Sequence, residues 1–191
     1  MSDLVFSEGK NDVILLEELH ESEDMGPRYD KYVFEDTEVS QTKWLRQQTA
    51  DDRFDYLYKS EGGDGELIKK FKSHSLVFTK FSMRVLIDLD GGSFQDRIEE
   101  FNNKLSEDYG NKVRVDVESR HSNSDLIIAE STLRIEGDEN RNLPILAFHE
   151  SLEDVAGIFD GDSVETRRTK IQRYISNNPS IVSDISDCIY R

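Results

Sequence analysis

Two short apolar runs, each ending in carboxylates and each leading into a helix, constrain this chain most. Leu4-Val5-Phe6-Ser7 ends at Glu8-Gly9, and the helix formers of Asn11–Leu19 follow. Arg84-Val85-Leu86-Ile87 ends at Asp88-Leu89-Asp90, and Gly91-Gly92-Ser93 opens a further helix. Unbroken apolar runs of this length, rich in branched side chains, suit strands buried on both faces. Strands that alternate with helices need crossover connections, and so a mainly parallel sheet. The expected fold is therefore α/β, a mainly parallel sheet flanked by helices. In such sheets functional groups collect at the carboxyl ends of strands. That directs attention to the residues after Phe6, Ile87 and Phe148.

The remaining elements follow from periodicity. Phe94, Ile98, Phe101 and Leu105 recur at i, i+4, i+7 and i+11, with Ser93 as N-cap, Asp96 three residues on and Gly110 as C-cap. Phe54, Tyr56 and Tyr58 alternate within Arg53–Ser60, a strand that ends in the turn Glu61-Gly62-Gly63-Asp64-Gly65 before a helix from Glu66 to Lys72. Val113, Val115 and Val117 form another strand, and Leu126–Ala129 and Pro144–Phe148 are further apolar runs. Ser151–Phe159, Ser163–Ile175 and Ile181–Tyr190 read as helices. Residues 21–52 are polar and acidic, with a strand at Lys31–Phe34 and a helix at Glu38–Gln48, and read as an insertion or lid. The expected organisation is one domain over 1–150 carrying that insertion, and a helical C-terminal extension, 151–191, packed on it.

Charge sharpens the functional question. Forty acidic and 24 basic side chains give a formal net charge of −16. A protein that grips nucleic acid by neutralising phosphate is usually basic. Here the partner is something else, or the acids hold metal ions, or the acidity serves solubility, for instance in a salty cytoplasm. The single cysteine, Cys188, rules out a disulfide framework and a Cys-based zinc site and fits a reducing cytosol. No run of 18 apolar residues occurs, and Met1-Ser2-Asp3-Leu4 has neither the basic flank nor the apolar stretch of a signal peptide. A cytoplasmic location without a membrane partner is expected.

The acids at the strand ends form a pattern. Glu8, Gly9, Lys10 and Asp12 follow the first strand, and Asp88 and Asp90 follow the Val85–Ile87 strand. Carboxylates that converge repel one another unless a cation lies between them. Oxygen ligands without cysteine and with little histidine favour Mg²⁺ or Mn²⁺. An Asp-x-Asp is common in any acidic chain. The ordered combination is more specific: strand, Glu-Gly-x-x-Asp, helix, a gap, strand, Asp-x-Asp, Gly, helix.

That combination resembles the TOPRIM domain, the metal-binding unit of type IA and type II topoisomerases, bacterial primases, small ribosomal-RNA maturases and OLD-family nucleases. The residues concerned are Leu4–Asp12 and Val85–Gly92, with Glu61-Gly62-Gly63 similar to the segment between the two motifs. The resemblance covers about residues 3–120, interrupted by 21–52. It implies a Rossmann-like fold, with Glu8 as general acid/base or metal ligand and Asp88 and Asp90 as Mg²⁺ ligands. Ser93 stands where the topoisomerase form has glycine, which weakens a topoisomerase or primase assignment more than a TOPRIM one. Phe148-His149-Glu150-Ser151-Leu152-Glu153-Asp154 looks like the acidic segment after the last strand of OLD-like proteins. Glu153 is then a ligand for a second metal, or else part of a cap in which Ser151 starts a helix and the acids favour its first turn. No Gly-x-x-x-x-Gly-Lys-Ser/Thr loop occurs. The chain thus resembles a stand-alone TOPRIM protein whose ATPase or other protein partner, if any, is separate.

Other polar residues carry two readings each. Lys10 meets a phosphate or offsets the local acids. Asp12 is a supporting carboxylate or a helix N-cap, a role open to Asn11 as well. Arg120 and His121, after the Val113–Val117 strand, reach substrate phosphate or belong to a solvated loop. Arg167, Arg168, Lys170 and Arg173 form a nucleic-acid stripe or, better suited to their spread over the arc opposite Val164, Ile171 and Ile175, a solvated helix face. The functional expectation is a Mg²⁺- or Mn²⁺-dependent nuclease acting on DNA or RNA through bridging metal ions. The alternative is a non-catalytic TOPRIM module that binds metal or nucleotide and recruits a partner.

Overall fold

Alternation along the strands sets the two faces of one sheet. We describe a computed structural model, in which residues 2–22, 28–34, 36, 38–51 and 53–190 are described. The elements run β1 (Asp3–Ser7), α1 (Lys10–Ser22), β2 (Tyr29–Tyr32), α2 (Gln41–Asp51), β3 (Tyr56–Ser60), α3 (Asp64–Ser75), β4 (Ser82–Asp88) and α4 (Phe94–Tyr109). They continue with β5 (Val113–Ser122), β6 (Leu126–Ile135), β7 (Arg141–Asn142), β8 (Ile145–Phe148), α5 (Leu152–Ala156), α6 (Val164–Asn177) and α7 (Pro179–Tyr190). The sheet order is β2-β3-β1-β4-β8-β6-β5, with β7 paired to β6. The pairs from β2 to β8 are parallel, whereas β6 runs antiparallel to both β8 and β5.

Leu4 and Phe6 of β1 pack with Met83, Val85 and Ile87 of β4 under α2, α3 and α4. Val5, Leu86 and Phe148 face the other way, under α1, α5, α6 and α7. A period of two thus buries both sides of the central strands. The α4 stripe of Phe94, Ile98, Phe101 and Leu105 is fully covered. Ser93 Oγ accepts the Asp96 N–H, and Gly110 ends the helix at φ 57°.

Three expectations need correction. The segment 21–52 does not stand apart as a lid. Its β2 pairs in parallel with β3 as the edge of the sheet, and Trp44 and Leu45 of α2 are buried in the main core. An edge strand is polar because one side meets water, so its composition resembles a loop. The Val113–Val117 strand continues to Ser122 through an irregularity between Val117 and Ser119, so Arg120 and His121 pair with Ala129 and Ile128. Both remain exposed. The helix expected at Ser151–Phe159 stops at Ala156, where Gly157 takes a left-handed conformation. The segment 152–190 supplies three of the helices that close one face of the sheet. Among the described residues no helix is long and apolar enough to cross a membrane.

Candidate carboxylate site at the strand ends

Parallel pairing brings the ends of β3, β1, β4 and β8 to one edge, since Ser7 lies level with Ser60 and Leu86, and Asp88 with Phe148. Glu8 leaves the sheet there. Its carbonyl accepts the N–H groups of Gly62 and Gly63, both at 2.9 Å. Gly62 takes φ 81°, a conformation that glycine adopts without a Cβ clash. Glu8 Oε1 accepts the Asp88 N–H at 3.2 Å. Asp88 closes β4, and its Oδ1 accepts the N–H of Leu152 at 3.3 Å, so the start of α5 is tied to it.

Asp12 is the third residue of α1, not its N-cap. Its Oδ2 reaches back to the Gly9 N–H at 2.9 Å, the third-position half of a capping box. It is also buried, and it lines the same pocket as Glu8 and Asp88. Asp12 is thus not the N-cap, but it assists the cap from the third position while lining the pocket. Near Glu153 the two roles are divided between neighbours. Ser151 Oγ accepts the Asp154 N–H at 3.1 Å and donates to Asp154 Oδ2 at 2.8 Å, which caps α5. Glu153 instead turns into the pocket, where its Oε1 accepts from Asn11 Nδ2. Lys10 lines the pocket as well.

Asp90 stands apart. Leu89 to Gly92 form a tight turn closed by the Gly92 N–H on the Leu89 carbonyl at 2.6 Å, with Asp90 at φ 48° and Gly91 at φ 72°. Two successive positive φ values define a type I′ turn, which Asp-Gly suits. Asp90 is exposed and does not line the pocket, although its charge acts on both Glu8 and Asp88.

Electrostatics follow from the crowding. Burial pushes Glu8 up to about 7, with the charges of Asp64 and Asp90 adding to it and Arg97 opposing. Burial pushes Asp88 up to about 8, helped by the charges of Glu8 and Glu153. Asp12 is raised as well, by burial first and then by Asp88, Glu153 and Glu8. Near neutral pH Asp88 favours its protonated form and Glu8 is divided between its two forms, and a nearby cation would draw both toward the carboxylate. Among the described residues no three His, Cys, Asp or Glu side chains form a ready metal cage. The donor set still suits a hard ion, because Mg²⁺ commonly takes one or two carboxylates and completes its shell with water and substrate phosphate.

Two residues of the site went unrecognised in the sequence. Arg167 is 9 % exposed and donates to Asn11 Oδ1 at 3.2 Å and to the carbonyls of Asp160 and Asp162 at 2.9 and 3.0 Å. It thereby braces the amide that holds Glu153. The buried stripe of α6 is Arg167, Ile171 and Tyr174, whereas Val164 is exposed. The i, i+4, i+7 spacing was present, but an arginine is rarely assigned to a buried stripe. Of its neighbours, Arg168 pairs with Glu17 and Glu18, and Lys170 with Asp162. Phe34 completes the pocket on the side of β2.

No family model matches the chain, and no curated protein matches it. Among solved structures, a de novo designed protein of P-loop NTPase fold, determined by solution NMR, is similar at 12% identity and TM-score 0.37 over 95% of each chain. At that score the likeness carries no argument about function.

Proposed function

We propose that the chain is a Mg²⁺- or Mn²⁺-dependent phosphodiester hydrolase of TOPRIM type, a nuclease acting on DNA or RNA. One observation carries the reading. Glu8, Asp12, Asp88 and Glu153, from three separate chain segments, line a single pocket at the carboxyl edge of a parallel sheet. Glu8, Asp12 and Asp88 are each raised by burial and by neighbouring carboxylates, and raised acids gathered in a cleft mark a candidate functional site.

In this reading Asp88 and Glu153 would hold the ion, and Asp90, outside the pocket, would add its negative charge to the site. A bound divalent ion neutralises phosphate charge and acidifies water. Glu8, pushed up to about 7, is poised to accept a proton from attacking water at neutral pH. Its carboxylate is aimed by the Asp88 N–H, and its backbone by Gly62 and Gly63. Lys10 meets the phosphate at the pocket mouth.

The test is cleavage of single- and double-stranded DNA and RNA by purified protein with Mn²⁺. Asp88→Ala is expected to abolish it, and Glu8→Gln to slow it about a hundredfold or more. Cleavage that survives both substitutions together overturns the proposal. Saturable metal binding without cleavage of any substrate points to the non-catalytic module instead.

A further inference from the structure

One wall of the carboxylate pocket is apolar. Val33 and Phe34 directly follow β2, and both line the pocket beside Gly62 and Gly63. Phe34 keeps 46% of its surface exposed, unlike most large apolar side chains here. It is held in place nonetheless. Its N–H donates to Ser60 Oγ at 3.3 Å, and a Cβ built on Gly62 would meet the ring at 2.9 Å. The turn that supports the ring is also the turn that donates to the Glu8 carbonyl. Ring and carboxylate are thus fixed to one piece of backbone. The open pocket has a volume of about 270 Å³, on the scale of one nucleotide.

We infer that Phe34 is a stacking platform for a nucleobase whose adjoining phosphate reaches the carboxylates. The substrate class is single-stranded nucleic acid, or a strand with an unpaired nucleotide at this point. Every base offers a flat face, so an aromatic ring binds it without reading its sequence. A base within a duplex has both faces covered by neighbours and must leave the stack to use the ring. Lys10 and Arg167 are the basic residues that line the pocket, and Arg167 is committed to Asn11 and backbone carbonyls. Holding a strand by its phosphates alone is therefore a weak option, and the ring supplies the missing grip. The inference rests on the phosphodiester reading above and narrows it.

The experiment compares full-length wild type with Phe34→Ala, Phe34→Leu and Phe34→Tyr. Binding to a labelled single-stranded oligonucleotide is read by anisotropy in Ca²⁺, and cleavage in Mn²⁺. Phe34→Ala and Phe34→Leu are expected to weaken single-strand binding about tenfold, and Phe34→Tyr to restore it. Phe34→Leu keeps apolar bulk, so its loss separates stacking from folding. An abasic nucleotide at the cleavage position should cost the wild type a similar factor and cost Phe34→Leu nothing more. Equal binding and cleavage by wild type and Phe34→Leu overturns the inference. If Asp88→Ala stops cleavage while Phe34→Leu changes nothing, stacking alone falls. If the wild type neither binds nor cuts any nucleic acid, both readings fall.

Discussion

Asp88 is the residue on which the site turns. In the unfolded chain its carboxyl titrates near 4, whereas in the fold it is pushed up to about 8 by burial and by Glu8 and Glu153. A raised acid stabilises the fold while it is protonated. That contribution is complete below about pH 4 and is lost as pH climbs through the folded value. Asp88→Asn removes the charge without changing the shape. In EDTA the stability of Asp88→Asn relative to wild type should therefore rise steadily from pH 4 to pH 8, as read by urea denaturation at each pH. Added Mg²⁺ should cancel that advantage, because only the wild type gains from binding it. Asp90 belongs to the same motif but not to the same place. The strand ends at Asp88 and the chain then folds into a type I′ turn, a change of direction that the spacing Asp-x-Asp does not reveal. Asn suits the same turn. Asp90→Asn should leave the melting temperature unchanged and weaken Mn²⁺ binding about tenfold, the scale on which supporting groups affect a metal.

Elements with a strong one-sided pattern were legible, and those facing two environments were not. The α4 stripe, its Ser93 cap and its Gly110 terminus follow directly from spacing, and β1 and β4 from their apolar runs. The polar edge strand β2 and the helix α2 read in sequence as an insertion or lid outside the core, because hydrogen bonding to one neighbour leaves no compositional trace. On α6 the sequence pattern places Val164 on the buried side and Arg167 on the solvated one, and the structure reverses both. Packing gives this a measurable consequence. Ile171 is wholly buried, so Ile171→Ala should cost about 2–5 kcal/mol in chemical denaturation. Val164 is 61% exposed, and Val164→Ala should stay within about 0.5 kcal/mol. Equal costs would mean that the stripe lies elsewhere. Glu153 shows the limit of reading a motif by itself. Its Ser-x-x-Asp setting does cap a helix, and only the meeting of α1 with α5 shows that Glu153 points to Asn11.

For the whole molecule, a net charge of −16 opposes any polyanion. The site adds to that opposition unless cations are present. Oligonucleotide binding should therefore be lost in EDTA and recovered with Mg²⁺ or Ca²⁺, whereas a surface held by lysines would bind best without them. On the proposed reading, the strand ends form a divalent-cation site. Mn²⁺ titration followed by electron paramagnetic resonance tests it most directly, since free and bound ion are counted separately. One or two saturable Mn²⁺ per wild-type chain are expected, displaced by Mg²⁺ and lost in the Asp88→Asn, Glu153→Gln double variant. Diffuse, unsaturated binding that the double variant leaves unchanged would contradict it.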